Sequence, residues 1–166
     1  FYINAMGLCA CYDLQGNQKW LRVIDTAEDE ESFSASPLFV GDRIIVHWGC
    51  LLALDANDGR TRWKCEKALP TYGTPAITEI GGAAVAVTPR GDVVSLADGE
   101  LLCSRLFKST YTTPLIADGV VYVIDARSTA LKLPARAESG MQLKELWRAR
   151  LSGEFMASPV LKNSVL

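Results

Sequence analysis

Apolar residues in this chain come in short runs that alternate with polar positions at a period of two, the pattern of β-strands rather than of helices. The cleanest copy is Arg43-Ile-Ile-Val-His47, preceded by Leu38-Phe-Val40 and the turn Gly41-Asp42, which reads as strand, tight turn, strand. Val120-Val-Tyr-Val-Ile124 follows Ile116-Ala-Asp118-Gly119 in the same way, and Ala83-Ala-Val-Ala-Val87 follows Glu79-Ile-Gly81-Gly82. These runs are short and largely β-branched, which disfavours a helical repeat. A second hairpin comes after each: Leu51-Leu-Ala-Leu-Asp55, a turn over 56–59, then Arg60-Thr-Arg-Trp63. It recurs over 9–13 with Gly16 and Trp20, over 93–96 with Asp98-Gly99 and 101–103, and over 130–133 running on to Trp147.

A period is visible behind these copies. Small-hydroxyl–Pro steps occur at Ser36-Pro37, Thr74-Pro75, Thr113-Pro114 and Ser158-Pro159, so the prolines are spaced 38, 39 and 45 residues apart. A repeat near forty residues signals stacked supersecondary units. Trp20, Trp63 and Trp147 hold one position in it, with Cys103 in their place in one copy. Period-matched aromatics of this kind pack one unit against the next. Four short antiparallel strands per unit, with periodic Gly and Trp, predict an all-β fold: a β-propeller of four-stranded antiparallel blades. The expected bounds are an outer half-blade over 1–21, complete blades over 34–66, 72–105 and 111–150, and the start of another over 155–166. The ends at Phe1 and Leu166 read as cut, and Asn163-Ser-Val-Leu166 reads as the opening of a strand.

The pattern A-[LV]-D-x-x-[DT]-G-x-x-x-W, carried here by Ala53-Leu-Asp55, Asp58-Gly59 and Trp63, with Asp13, Gly16 and Trp20 as a shortened copy, resembles the pyrroloquinoline-quinone (PQQ)-type repeat. That family includes quinoprotein alcohol dehydrogenases and BamB, the lipoprotein scaffold of outer-membrane barrel assembly. The resemblance covers nearly the whole chain and implies rings of seven or eight blades, so this chain would be about half a ring. The rest would come from further blades of the same protein or from a second copy. It also implies export to the periplasm or cell exterior. The motifs are specific for the fold and weak for any one activity.

Composition narrows function. The chain has 17 basic against 19 acidic residues in 166, a net charge of −2, which gives no broad basic field for nucleic acid. No uninterrupted apolar run reaches the ~20 residues of a membrane-spanning helix. Five cysteines follow no zinc spacing and read mainly as small buried strand residues. Pairing Asp55 with Arg60 across the hairpin would place Cys50 opposite Cys65, where a cross-strand disulfide is geometrically conceivable.

Candidate chemistry gathers where loops between second and third strands meet the starts of the innermost strands. His47 and Trp48, Arg90 and Arg127 are expected there from successive blades, with Tyr72 and Tyr111 entering beside them and Ser34 and Met156 at the corresponding positions. Two arginines, two tyrosines, a Trp and a His would suit an anionic or planar ligand or a peptide segment. Each also has a plain structural role open to it, the arginines as solvated turn charges and His47 as a packed residue without a nucleophile to serve. No catalytic residue and no metal site are expected. PQQ with Ca²⁺ would enter only if the chain were part of a quinone-dependent dehydrogenase. Those enzymes use adjacent cysteines and a Glu/Asn/Asp set, and Cys9-Ala-Cys11 is not such a pair. The acidic run Glu28-Asp-Glu-Glu31 reads as a solvated linker, and the lengthened hairpin over 134–143 as a loop on the opposite face. The favoured function is a non-catalytic scaffold that shows loops to a protein or small ligand.

Overall fold

Four antiparallel sheets follow one another along the chain in the computed structural model, which describes residues 1–3, 7–24 and 35–162. The acidic run over 28–31, Ser34 and the segment 163–166 lie outside the described residues. The first sheet holds β1 (Tyr2–Ile3), β2 (Leu8–Tyr12) and β3 (Gln18–Val23), so it carries a short third strand beyond the expected hairpin. The second holds β4 (Leu38–Val40), β5 (Arg43–Trp48), β6 (Cys50–Asp55) and β7 (Thr61–Cys65). The third holds β8 (Ala76–Ile80), β9 (Ala83–Val87), β10 (Val93–Ser95) and β11 (Leu101–Cys103). The fourth holds β12 (Leu115–Ala117), β13 (Val120–Val123), β14 (Arg127–Lys132) and β15 (Lys144–Arg150). Within each sheet the strands are neighbours in chain order, and no helix occurs among the described residues. Residues 155–162, the described part of the segment expected to begin another blade, contain only an isolated bridge at Lys162.

The alternation of side chains explains why the middle strands read as nearly continuous apolar runs. In β5 and β6, Ile44, Val46, Leu52 and Leu54 face the first sheet and pack on Cys9 and Trp20. Their neighbours Ile45, Leu51 and Ala53 face the third sheet and pack on Ala86, Val94 and Leu96. A strand pressed between two sheets needs apolar residues at both parities. The third sheet repeats this, with Val85, Val87 and Val93 turned to Val121 and Val123 of the fourth.

The first two tryptophans of the repeat, Trp20 and Trp63, act across joints. Trp20 donates its Nε1–H to the Ala56 carbonyl at 2.9 Å, and Trp63 donates to the Leu96 carbonyl at 3.2 Å. Both rings press on the turn glycine of the next sheet: a Cβ on Gly59 would lie 2.7 Å from Trp20 Cε3, and one on Gly99 2.7 Å from Trp63 Cε3. Both glycines have positive φ, 72° and 81°, so turn geometry and ring contact demand the same residue. Asp55 shapes its turn by accepting the Asn57 N–H at 2.8 Å, and Asp13 does the same for Asn17 at 2.8 Å. Arg62 beside Asp55 holds that carboxyl below the usual carboxylate range.

The third joint is built differently. Cys103 stands where the indole would be, and the 134–143 loop folds back to bury Met141 against Leu102 and Val93, with the Gly140 N–H donated to the Leu102 carbonyl at 2.8 Å. The loop also crowds the turn glycine Gly81, whose Cβ would meet Ala135 O at 2.6 Å. Trp147, the corresponding residue of the fourth sheet, is 39% exposed, against 5% for Trp20 and 9% for Trp63.

The cysteine pairing suggested by the hairpin does not form. A bulge between Ala53 and Leu54 sets Ala53 opposite Trp63 and therefore Leu51 opposite Cys65, one residue away from the simple register. Side chains alternate faces, so Cys65 packs toward the third sheet and Cys50 toward the first, and no disulfide joins them.

Candidate binding face

Antiparallel order sends two kinds of segment to one end of the sheets: the turns joining second to third strands, at Gly49, 88–92 and 124–126, and the linkers to the next sheet, over 66–75 and 104–114. The small-hydroxyl–Pro steps organise the inner rim. Ser36 N–H donates to Thr74 Oγ1 at 3.0 Å, Thr74 N–H to Thr113 Oγ1 at 3.2 Å, and Thr113 N–H to Ser158 Oγ at 3.0 Å. One hydroxyl per unit thus accepts from the preceding unit, which accounts for the recurrence of Ser or Thr before each Pro.

Linker 104–114 is fixed on both sides. Leu106 N–H donates to Gly91 O at 3.1 Å and Ser109 N–H to Pro89 O at 2.7 Å, tying it to the third sheet's turn. Thr112 Oγ1 donates to Ile124 O at 3.1 Å, tying it to the fourth. The approach at Gly91 is so close that a Cβ would lie 2.4 Å from Phe107 N. Arg105 holds a left-handed backbone, φ 57°, with its N–H donated at 3.2 Å to Asp92 Oδ1. Asp92 is buried, which raises its carboxyl above the usual range against the pull of the Arg105 N–H and Thr88 bonds. It is the anchor of this corner.

Two features rise from that anchored linker. Tyr72 and Tyr111, three residues before successive prolines, stack with ring centroids 5.2 Å apart and planes 23° off parallel, Tyr111 being 46% exposed. The Tyr72 N–H donates to Thr110 O at 3.0 Å, so the pair is set by the backbone of both linkers. The same linker helps to line a cavity of about 380 Å³, formed by Arg90, Arg105, Lys108, Arg127 and Arg148 around Leu106, Phe107 and Thr129. Arg148 pairs with Glu145 at 2.5 Å, whereas Arg90, Arg105, Lys108 and Arg127 have no carboxylate within 4.0 Å among the described residues. In a chain of net charge −2, positive charge is concentrated here.

Residues 53–140, more than half of the chain, match the family described as outer membrane protein assembly factor BamB. The chain belongs to this family. Among solved structures it resembles the crystal structure of BamB from Moraxella catarrhalis, at 19% identity and a TM-score of 0.57 over 89% of this chain and 44% of that one. At that identity the likeness speaks for the fold: the four sheets are blades of a partial β-propeller, and the chain spans less than half the length of that BamB chain. No curated protein matches it.

On these blades, the expected site residues divide. Arg90 and Arg127 meet in the cavity, Tyr72 and Tyr111 meet in the stack, and Met156 is exposed on the following linker. His47 and Trp48 do not reach the face. Strand β5 runs through both and turns on Gly49 alone, leaving His47 2% and Trp48 3% exposed. His47 Nε2 lies 3.2 Å from Ala68 O, and burial pushes the imidazole down to about 4, with smaller opposing help from backbone bonds. Trp48 packs among Ile44, Val46 and Leu52. Both belong to joints between blades. Burial also pushes the thiols of Cys9 and Cys103 up to about 11, far from the thiolate form a nucleophile needs. No group of three or more His, Cys, Asp or Glu is placed to hold a metal ion among the described residues.

Arg105, Lys108, Arg148 and Asp92 are functional-face residues that the sequence reading passed over. The first two precede Tyr111 in the same linker, so the argument that brought Tyr111 to the face applies to them equally. Arg148 lies on an outer strand, where nothing local marks it.

Proposed function

We propose that the protein is a non-catalytic scaffold of the BamB family, exported from the cytoplasm, whose loop-bearing face takes a protein partner. The observation that carries this reading is the Tyr72–Tyr111 stack, two rings delivered by equivalent linkers and held by fixed backbone, with one ring half in solvent. Rigid aromatic anchors of this kind lose little entropy on binding and dominate protein interfaces. Nothing need move or react: sheets buried on both faces hold the linkers, and the linkers hold the side chains. The family's description as an outer membrane protein assembly factor supports export. The exposed Trp147 presents half of an inter-blade joint, and we place a further blade against it, from the same protein or from a second copy.

Site-directed photocrosslinking in cells tests the face. A crosslinking residue in place of Tyr111 should give discrete protein adducts, and the same residue in place of Leu14, fully exposed in a turn at the other end of the sheets, should not. Identical adducts from both positions, or none from residue 111, would remove the face from consideration.

A further inference from the structure

We propose that the cavity between the third and fourth blades binds a short acidic peptide segment of the partner, its carboxylates on the arginines and an apolar side chain on Leu106 and Phe107. This rests on the binding-face reading above and adds the partner's chemistry. Four guanidinium groups and one ammonium line one opening, and only Arg148 among them is spent on a neighbouring carboxylate. Elsewhere Arg62 is satisfied by Asp55 at 2.5 Å and Asp42 at 2.8 Å, and Lys19 by Asp13 at 2.8 Å; other cations such as Lys64, Lys67 and Arg136 also lack an ion pair among the described residues, and what sets this site apart is that four unpaired cations line one opening. Asp92 beneath attracts Arg90 and Arg105 from beyond ion-pair distance, and like charges held together with so little counter-charge cost stability that an arriving anion relieves.

The geometry favours carboxylates on a peptide over a free ion. Planar guanidinium forks match carboxylates in pairs, and several spread round one opening fit several carboxylates in sequence. The half-buried Leu106 and Phe107 between them would be idle beneath a small ion but would be covered by an apolar side chain. The volume, about 380 Å³, falls at the small end of ligand sites and admits a few residues of an extended segment. Linker 104–114 carries both Lys108 of the cavity and Tyr111 of the stack, so the two lie on one fixed segment of the same face. The anchor beneath supports the arrangement, since Asp92 fixes the strained backbone of Arg105 and thereby the direction in which that arginine leaves the chain.

The test is fluorescence polarisation of the intact chain with a labelled peptide, Glu-Asp-Leu-Asp-Glu, against its amide counterpart, Gln-Asn-Leu-Asn-Gln. The acidic peptide should bind and the amide peptide should not, with affinity falling as salt rises. Arg90→Glu with Arg127→Glu should weaken binding roughly tenfold or more. Arg60→Glu with Lys64→Glu, an equal change of charge outside the cavity, should leave it unchanged. If the paired reversal fails to fold, as read by circular dichroism, the exposed Arg127→Gln alone should still weaken binding. Equal binding by the amide peptide, or equal loss in the two double variants, would overturn the proposal. So would inorganic phosphate binding as tightly as the peptide and displacing it, because the site would then be one for a free anion. Photocrosslinks from residue 111 that persist while the peptide fails to bind would sink the cavity proposal alone and leave the binding face standing.

Discussion

At the first two joints between blades an indole lies on a glycine: Trp20 on Gly59 and Trp63 on Gly99, each also donating its N–H to a carbonyl of the facing turn. At the third joint Cys103 leaves that space, and the longer 134–143 loop returns Met141 and a main-chain bond from Gly140 to Leu102 in its stead. The same gap between sheets is therefore closed by one large rigid side chain in two cases and by a loop with a flexible one in the third. An indole supplies area and a donor together, but only if the opposing residue has no Cβ. The loop supplies both through Met141 and the Gly140 N–H, although it too closes on a glycine, Gly81, and its repeat is about six residues longer than the others. The 45-residue spacing of the last repeat thus accompanies the missing tryptophan of the repeat before it, where Cys103 stands.

The largest effect should come from removing the indole itself. Trp63→Ala deletes a side chain 9% exposed and its bond to Leu96 O, and should cost about 3–5 kcal/mol in chemical denaturation followed by far-UV circular dichroism. Met141→Ala at the third joint should cost less, about 2–3 kcal/mol, because an unbranched side chain in a loop lets its surroundings relax. Equal costs would mean that the loop joint is as tightly packed as the indole joint, and the contrast would fail.

A second difference is that the joint between second and third blades contains a buried base. His47 is neutral in both states above pH 6.5. Below that the unfolded chain takes up a proton, while the folded chain, its imidazole held at about 4 by burial, does not. Stability should therefore fall as pH drops from 6.5 to about 4 and level off below, a loss of about 3 kcal/mol in all. Asp92, whose carboxyl is held above its usual range, acts in the opposite sense, because its folded form takes a proton more readily than the unfolded chain. His47→Leu separates the two: Ala68 O keeps the Leu51 N–H at 3.0 Å, and the fall between pH 6.5 and 4 should vanish from denaturation curves recorded across that range. A variant with the wild-type slope would show that His47 is not the titrating group.

The architecture was legible because a repeat states its rule several times over. Ser or Thr before each Pro, Gly in each turn and Trp four residues on are each fixed by a contact the next blade repeats. Local errors arose where one residue breaks such a rule. The bulge at Ala53/Leu54 moves Cys65 opposite Leu51, and no pattern of apolar and polar residues reveals a bulge. The strand expected over 43–47 was to bring His47 and Trp48 to the face, and instead it runs on through Trp48 with both residues in the core, because Gly49 alone suffices for the turn. Of the face, the tyrosines were legible because they recur at one offset from Pro. The cations Arg105, Lys108 and Arg148 come once each, and their convergence depends on how two blades sit side by side.

The finest probe of the two kinds of joint is a single methyl group. Gly99 and Gly140 occupy corresponding turns with nearly the same left-handed backbone, φ 81° and 77°, so replacing either by Ala imposes a similar conformational cost of about 1 kcal/mol. Their surroundings differ. A Cβ at Gly99 would lie 2.7 Å from Trp63 Cε3 and 2.9 Å from Cδ2, inside contact distance of a ring that is itself held by Leu96 O, whereas a Cβ at Gly140 meets nothing within 4 Å. Gly99→Ala should thus destabilise by about 2–3 kcal/mol and Gly140→Ala by only about 1 kcal/mol. The excess belongs to the contact between ring and turn, and it should shrink when Gly99→Ala is introduced into a Trp63→Leu background, where no ring remains to be displaced. Denaturation midpoints of the four proteins measure that coupling directly. An excess that survives without the indole would place the cost in the turn alone, and the glycine of the repeat would then be a requirement of backbone conformation and not of the joint.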